Sequence, residues 1–197
     1  MIEAVIVDSG GANLASLRYA LERLGARTQV SADARTIASA ARVVLPGVGA
    51  AAHAMQRLNA AGLTSMLRAL TQPVLGVCLG MQLLFELSEE GLTECLGLLP
   101  YAVRRLQSAP RCPVPHMGWN ELQRLRPDPL LEGVADGDYA YFAHSYAAPV
   151  TQHTLASAQY GAAVSAVVRR ENFWGTQFHP ERSAGTGARV LENFLRL

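Results

Sequence analysis

A cysteine flanked by two glycines is the residue of this chain best placed for covalent chemistry. Cys78 lies in the stretch Gly76-Val77-Cys78-Leu79-Gly80, directly after the apolar run 74–77. This spacing is the thiol version of the nucleophile elbow, a strained turn between a strand and a helix. The N–H groups at the start of the following helix favour the thiolate, which is the nucleophilic form of the side chain. Free cysteines are also often simply buried, so the spacing alone leaves both interpretations open.

A thiol nucleophile normally works with a histidine base and with a group that orients this histidine. Among the five histidines, His179 has the most suitable context, because it follows the predicted strand Trp174–Phe178 and precedes Pro180. Glu181 can fold back to one imidazole nitrogen, which fixes the tautomer and leaves the other nitrogen facing the thiol. The tripeptide alone would favour a turn with a surface carboxylate. Together with the elbow, it indicates a triad of Cys78, His179 and Glu181.

A glycine-rich turn adds a possible anion site to these groups. The stretch Gly47-Val48-Gly49 follows a strand that we predict at 42–45. Bare backbone N–H groups in such a turn can bind an anion. One of them, together with the N–H of Leu79, would form an oxyanion hole for a tetrahedral intermediate. These residues indicate acyl transfer through a thioester, and they do not identify the acyl group.

Strands and helices alternate in the first half of the chain, which is typical of a parallel sheet. Strands are predicted at 4–7, 28–30, 42–45 and 74–77. Helices are predicted after Asn13, which can cap the first of them, along the alanine-rich stretch 50–70, and over 81–87 after the elbow. The carboxyl ends of neighbouring parallel strands share one crevice, so Cys78 and His179 are expected to meet there.

The second half of the chain reads mostly as short strands followed by one helix that Ser183 can cap. The strands are predicted at 97–99, 103–106, 139–142, 154–157, 165–168 and 174–178. We therefore predict an α/β fold, a three-layer sandwich with a central, mostly parallel sheet, a nucleophile elbow and an antiparallel extension in the C-terminal half. The length of 197 residues fits a single domain over 1–197.

Composition excludes several functions. The net charge is +1 and no basic run is present, which gives no indication of binding to nucleic acid or to a membrane surface. All 17 basic side chains are arginine, which excludes Schiff-base chemistry and a P-loop lysine. The three cysteines form no C-x-x-C pair, and the N-terminus lacks the features of a signal peptide. We expect reduced thiols in the cytoplasm, with no metal and no organic cofactor.

Two motifs together resemble the triad (class I) glutamine amidotransferases, which release ammonia from glutamine through a cysteine thioester. These motifs are 76–82, around the cysteine, and 177–181, around the histidine. The resemblance implies that Cys78 is the nucleophile, His179 the general base and acid, and Glu181 its orienter. It implies an oxyanion hole from the backbone of Val48 and Gly49 and the N–H of Leu79. The implied pocket for the α-amino and α-carboxylate groups of L-glutamine consists of the Gly49 backbone, Gln82, Ser145 and Tyr146.

Two further stretches, His116–Asn120 and Tyr141–Tyr146, narrow this resemblance to the glutaminase subunits of imidazole glycerol phosphate synthases. That narrower resemblance covers essentially the whole chain. It implies a heterodimer with a (β/α)₈-barrel cyclase subunit of histidine biosynthesis. The cyclase would receive ammonia through a tunnel and form imidazole glycerol phosphate and an aminoimidazole carboxamide ribotide. The implied interface positions are Asn13, Trp119, Tyr139, Tyr141 and Arg182.

The chain departs from the family pattern after Gly49, where Ala50-Ala51-Ala52-His53 stands, and at Arg182, where lysine is common. Three alternatives remain: a glutaminase serving another amidotransferase, a cysteine hydrolase or protease of similar topology, and a non-catalytic binding subunit. The His116–Asn120 stretch argues against the first alternative. The close spacing of histidine and glutamate argues against the second, and the intact triad against the third.

Overall fold

The computed structural model describes residues 3–8 and 14–197 of the chain. Its strands are β1 (Glu3–Val7), β2 (Arg27–Ser31), β3 (Val43–Gly47), β4 (Val74–Cys78), β5 (Phe85–Ser88), β6 (Thr93–Glu94), β7 (Leu99–Arg105), β8 (His116–Glu121), β9 (Gln123–Arg124), β10 (Tyr139–His144), β11 (Tyr146–Ala147), β12 (Thr154–Tyr160), β13 (Ala162–Arg170) and β14 (Phe173–Thr176). Its helices are α1 (Leu14–Arg23), α2 (Ala34–Ala38), α3 (Ala51–Ala60), α4 (Leu63–Arg68), α5 (Leu79–Gln82) and α6 (Ala184–Phe194). Short 3₁₀ turns cover Glu90–Leu92, Pro129–Leu131 and Pro180–Arg182.

The central sheet has eight strands in the order β2-β1-β3-β4-β14-β13-β12-β9. The five strands from β2 to β14 are parallel, and the remaining three pair antiparallel. A four-stranded sheet, β11-β7-β5-β6, and a two-stranded sheet, β10-β8, lie beside it. The predicted α/β fold with a mostly parallel sheet and an antiparallel extension is confirmed.

Helices cover both faces of the central sheet. One hydrophobic core lies between the sheet and helices α1 and α6, and a second lies between the sheet and helices α2, α3 and α4. Strands β3 and β4 are buried along their whole length, as expected for parallel strands with helices on both sides. No helix within the described ranges combines the length and apolar character that a membrane crossing requires.

The helix predicted over 81–87 after the elbow is present, but its predicted extent is wrong. Helix α5 ends at Gln82, and the chain enters strand β5 three residues later, where it pairs with β7. The Leu83 carbonyl accepts a hydrogen bond of 2.8 Å from the Leu96 N–H, so a distant segment provides the donor that a continuing helix would have provided. Residues 79–85 are buried on every side, whereas an amphipathic surface helix would keep one face in water.

Two other predictions about secondary structure remain to be compared with the structure: one changes, and one falls outside the described residues. The two strands predicted at 97–99 and 103–106 form the single strand β7. The cap predicted at Asn13 lies outside the described residues, as does the turn before it.

The elbow packs against β3 through glycines, with no room for side chains. A Cβ atom on Gly80 would lie 1.8 Å from the Leu45 carbonyl oxygen, and one on Gly76 would lie 2.6 Å from the Gly80 carbonyl oxygen. A Cβ on Gly47 would also come within 2.8 Å of the Gly80 nitrogen. The glycines on each side of the cysteine are therefore required by the close approach of two backbones, in addition to any need for flexibility.

We expect Gly80→Ala to lower the free energy of unfolding by about 3 kcal/mol or more, because strand β3 would have to move away from the elbow. Gly185→Ala is the matched control. It lies in helix α6 with nothing within 4 Å of a built Cβ, and alanine there should be neutral or slightly stabilising. Chemical denaturation of both variants measures the difference. Equal stability of the two variants would contradict the packing argument.

Candidate active site

Cys78 sits at the corner between β4 and α5 in a strained backbone conformation. Its φ of 53° and ψ of −111° lie in a region that residues with a Cβ atom rarely adopt. Such outliers cost roughly 1–3 kcal/mol and persist only where the surroundings enforce them. The enforcing contacts here are the glycine packing against β3 and the pairing of β4 with β3 and β14.

His179 and Glu181 form the hydrogen-bonded pair that their spacing predicted. The imidazole Nδ1–H donates to the Glu181 Oε1 at 2.9 Å, and both side chains are buried. Burial alone lowers the pKa of His179, but hydrogen bonds and charge interactions with Cys78 and Glu181 outweigh it and raise this pKa to about 10. The imidazole is therefore protonated at neutral pH, a state that stabilises a neighbouring thiolate.

The Cys78 sulfur has two further contacts, both long. It lies 3.9 Å from the Ala143 carbonyl oxygen and 3.9 Å from the Gln177 Nε2. At these distances neither contact competes strongly with the charge of the imidazolium for the sulfur.

Ser183 holds the segment that carries His179, although we predicted it as the side-chain cap of the last helix. It does occupy the position before α6, but its hydroxyl makes no cap hydrogen bond. The Ser183 hydroxyl instead donates to the His179 carbonyl at 2.7 Å and accepts from the Tyr141 N–H at 2.9 Å. The His179 N–H also donates to the Tyr141 carbonyl at 2.9 Å. Strand β10 is thus tied to the loop that positions the imidazole.

A cavity of about 360 Å³ opens beside the Cys78 sulfur. This volume is suited to a small polar molecule. Its wall brings together predicted residues from four separate segments of the chain, namely Val48, Gly49, Cys78, Leu79, Gln82, Ser145, Tyr146 and His179. Gly49 has a φ of +88° and an exposed backbone beside the cavity.

Gln82 is fixed by hydrogen bonds that determine what it can offer to a ligand. Its Nε2 donates to the Tyr146 carbonyl at 2.7 Å and to the Gln177 Oε1 at 3.0 Å. Both hydrogens of the amide are thereby used within the protein. Only the Gln82 Oε1 is left for a ligand, as a hydrogen-bond acceptor, so this residue suits an ammonium group rather than a carboxylate.

Glu90 is a residue of the cavity wall that sequence reasoning missed. Its Oε2 accepts a hydrogen bond of 2.7 Å from the Ala51 N–H at the start of helix α3. The Ala50 side chain cannot cap this helix, so the carboxylate does so from a distant loop. Only the acidic pair at 89–90 could have drawn attention to this position. Nothing local in the sequence connects it with Ala51, 39 residues away.

Two buried histidines lie beside the cavity on the paired strands β8 and β10. The Nδ1 of His116 lies 3.0 Å from the Nε2 of His144, and the Nδ1 of His144 lies 2.8 Å from the Tyr146 carbonyl oxygen. Burial lowers the pKa of each to about 4, and for His144 the charges of the neighbouring His116 and His179 act in the same direction. Both imidazoles are therefore neutral at neutral pH.

No group of three or more histidine, cysteine, aspartate or glutamate side chains is placed to hold a metal ion in the part of the chain that the structure describes. Cys78, Cys95 and Cys112 are all free thiols.

Comparison with known proteins identifies the family of this chain. The family profile "Glutamine amidotransferase class-I" matches residues 5–197. The chain belongs to this family. The imidazole glycerol phosphate synthase subunit HisH of Xylella fastidiosa strain Temecula1 is 56% identical over 197 residues, which are 100% of this chain and 98% of that protein. The subunit HisH of Xanthomonas euvesicatoria is 55% identical with the same coverage. The resemblance predicted from the motifs is confirmed.

The fold agrees with solved structures of the family. The glutaminase domain of Trypanosoma brucei CTPS, solved with bound acivicin, superposes with a TM-score of 0.69 at 15% identity. The match covers 100% of this chain and 94% of that one. At this identity the match supports the fold of this chain only, and it carries no information about the reaction that would use the ammonia.

Three of the predicted interface residues, Trp119, Tyr139 and Tyr141, lie together on the paired strands β8 and β10. Trp119 and Tyr139 are each 52% exposed, so neither is a core aromatic. Tyr141 is half-buried, lies opposite Trp119 on the paired strands, and contacts its ring edge-on. Arg182 is exposed at the end of the turn that carries Glu181. Asn13 lies outside the described residues. Their role in binding a partner stays a prediction.

We expect Cys78→Gly to be about 1 kcal/mol more stable than Cys78→Ala, because glycine relieves the positive φ of the elbow. Urea denaturation of the two variants measures the difference. Ala188→Gly, at an exposed position within α6, is the control, and there glycine should cost about 1 kcal/mol. If alanine were more stabilising than glycine at position 78, as is expected at position 188, the backbone strain at Cys78 would be refuted.

Stability should fall as the pH drops from about 6.5, where an unfolded histidine titrates, towards about 4, where His116 and His144 titrate in the folded protein. In this window the unfolded chain binds more protons, so the unfolding free energy decreases with acidification by about 1.4 kcal/mol per pH unit for each histidine. His116→Phe should keep the packing and reduce the slope by about one proton. Denaturation at pH 6.5, 5.5 and 4.5 measures it, and equal slopes for the two proteins would refute the buried, neutral state.

Proposed function

We propose that this chain is the glutaminase subunit of an imidazole glycerol phosphate synthase and acts as one domain over 1–197. It hydrolyses L-glutamine to glutamate and ammonia and delivers the ammonia to a cyclase subunit. The observation that carries the proposal is the convergence of three groups at one site of a class-I amidotransferase, the first two on the cavity wall and the third hydrogen-bonded to the second. These groups are a thiol on a strained elbow, an imidazole of raised pKa and a carboxylate that orients it.

The first half of the reaction forms a thioester. The Cys78 thiolate attacks the carboxamide carbon of glutamine, and the resulting oxyanion accepts hydrogen bonds from the N–H of Leu79 and from the Val48–Gly49 backbone. The C–N bond then breaks as protonated His179 gives its proton to the leaving nitrogen, which departs as ammonia. Glu181 keeps the other imidazole nitrogen protonated throughout, so the ring presents the correct nitrogen to the reaction.

Hydrolysis of the thioester completes the cycle. Neutral His179 accepts a proton from water as the oxygen attacks the thioester carbon, and a second oxyanion forms on the same backbone donors. Collapse of this intermediate breaks the C–S bond and releases glutamate. The cysteine leaves as a thiolate beside the newly formed imidazolium, which restores the starting ion pair. No cofactor takes part in this scheme.

The cavity has groups of suitable chemistry for both ends of an amino acid. The free Gln82 Oε1 and the Glu90 carboxylate are acceptors for the α-ammonium group. The Gly49 backbone and the Ser145 hydroxyl are donors for the α-carboxylate, and Tyr146 completes the wall.

The partner that we propose is a (β/α)₈-barrel cyclase subunit, bound as a heterodimer at the patch of Trp119, Tyr139, Tyr141 and Arg182, with Asn13 as a further contact. Ammonia would pass through a tunnel to this subunit. There it would yield imidazole glycerol phosphate and an aminoimidazole carboxamide ribotide, in the cytoplasm. The identities above 50% with HisH subunits support this choice over glutaminases of other amidotransferases.

Glutamate release from L-glutamine, measured with the chain alone and with a cyclase subunit and its ribotide ligand, tests the proposal. We expect activity to be strong only in the complete mixture. Cys78→Ala should then lower kcat by about 10⁴-fold or more, and Glu181→Gln by about 10²-fold or more, because the imidazole loses its orientation.

Cys95→Ala is the matched control for the cysteine variant, since Cys95 is equally buried but lies outside the cavity. It should keep full activity. Activity that does not depend on the cyclase would support the glutaminase function but would indicate a different partner subunit. Turnover that survives Cys78→Ala would overturn the mechanism.

A further inference from the structure

A directed chain of hydrogen bonds runs from strand β8 to the glutamine pocket. The Asn120 Nδ2 lies 3.3 Å from the His116 Nε2, the His116 Nδ1 lies 3.0 Å from the His144 Nε2, and the His144 Nδ1 lies 2.8 Å from the Tyr146 carbonyl oxygen. The Asn120 Nδ2 also donates to the Gln159 carbonyl at 3.0 Å, which holds the amide in this orientation. The direction of the hydrogen bonds is therefore known at both ends of the chain: the Asn120 Nδ2 is a donor, and the Tyr146 carbonyl oxygen is an acceptor.

The ends of this chain determine the tautomer of each histidine. A carbonyl oxygen can only accept, so the His144 Nδ1 carries the hydrogen and its Nε2 is an acceptor. The His116 Nδ1 must then donate, and its Nε2 accepts from Asn120. Both rings are therefore the Nδ1–H tautomer. The lowered pKa of each imidazole is consistent with this neutral arrangement.

His116 is additionally held by stacking on both faces. Its ring centroid lies 4.8 Å from that of Phe142 and 3.8 Å from that of Tyr160, with interplanar angles of 16° and 18°. The ring therefore cannot tilt away from His144 without losing both stacks. The His116 imidazole is thus held rigidly, and it supports the His144 imidazole, which bonds to the cavity wall.

The last hydrogen bond of the chain acts on the pocket itself. The His144 side chain bonds the carbonyl of the residue two positions ahead, so it fixes the turn that carries Ser145. The same Tyr146 carbonyl accepts the Gln82 Nε2–H at 2.7 Å, and this bond directs the Gln82 Oε1 away from it. Both ends of the proposed glutamine site therefore depend on one carbonyl group that His144 holds in place.

We propose that His116 and His144 are positioning residues of the glutamine site: their hydrogen bonds fix the Ser145–Tyr146 turn and the orientation of the Gln82 amide. This inference rests on the proposed glutaminase function. It concerns substrate binding and not the chemical steps, because neither imidazole bonds to the cysteine or to Glu181.

Steady-state glutamate release by the complex with its cyclase subunit tests the inference. We expect His144→Leu to raise KM for glutamine about tenfold with kcat changed less than about threefold, because a buried hydrogen bond to the pocket is lost. His144→Asn should restore KM to within about threefold of the original, since its amide N–H can reach the Tyr146 carbonyl. His116→Phe keeps both stacks and should raise KM by about threefold, because the His144 Nε2 loses its donor.

His153→Asn is the control, because this histidine also bonds a backbone carbonyl, that of Arg169, but lies outside the cavity. Its KM should be unchanged. An unchanged KM in His144→Leu, or a fall in kcat as large as the fall in kcat/KM, would overturn the positioning role.

The tautomers provide a second readout that requires neither turnover nor a variant. Long-range ¹H–¹⁵N spectra of the histidine-labelled chain at pH 7 should show Nδ1–H for both His116 and His144. An Nε2–H tautomer at either ring would refute the chain of hydrogen bonds even if His144→Leu fails to fold. Loss of the glutaminase function itself would be recognised separately, by turnover that survives Cys78→Ala.

Discussion

The close approach of the elbow to strand β3 is the constraint on which the site depends. Gly80 lies so near to the Leu45 carbonyl that no Cβ atom fits between them. This packing keeps Cys78 at a positive φ, which the residue would not adopt alone. The strain places the sulfur at the carboxyl end of the sheet, where β3, β4 and β14 end together. The energy that holds Cys78 in this conformation thus comes from backbone packing and not from contacts of its sulfur.

Three buried histidines near Cys78 differ in charge because their surroundings shift the pKa of each imidazole differently. His179 gains its proton because a thiol and a carboxylate offset the cost of burial, and its pKa rises to about 10. At His116 and His144 burial is the largest effect, and at His144 the charge of His179 acts in the same direction, so the pKa of each falls to about 4. A charged imidazole can act in proton transfer, whereas neutral imidazoles of defined tautomer can act as fixed donors and acceptors.

The small sheet of β8 and β10 connects the exposed aromatic patch with the proposed catalytic groups. Its outer side carries Trp119, and its inner side carries the histidine pair. The Tyr141 carbonyl on β10 accepts from the His179 N–H, and the Tyr141 N–H donates to the Ser183 hydroxyl. A partner bound at the patch would therefore press on a strand that is bonded both to the loop of His179 and to the proposed glutamine pocket.

The sequence alone determined the features whose parts are close together in the chain. The elbow spacing, the pair of His179 and Glu181 and the alternation of strands and helices all reflect local geometry and periodicity. Only the tertiary structure decided the short α5, the Glu90 cap on α3 and the histidine pair. In each of these, a partner 13 to 39 residues away competes for a hydrogen bond that local preference would assign elsewhere. No periodic pattern encodes such distant partners, because their pairing follows from how the sheets pack.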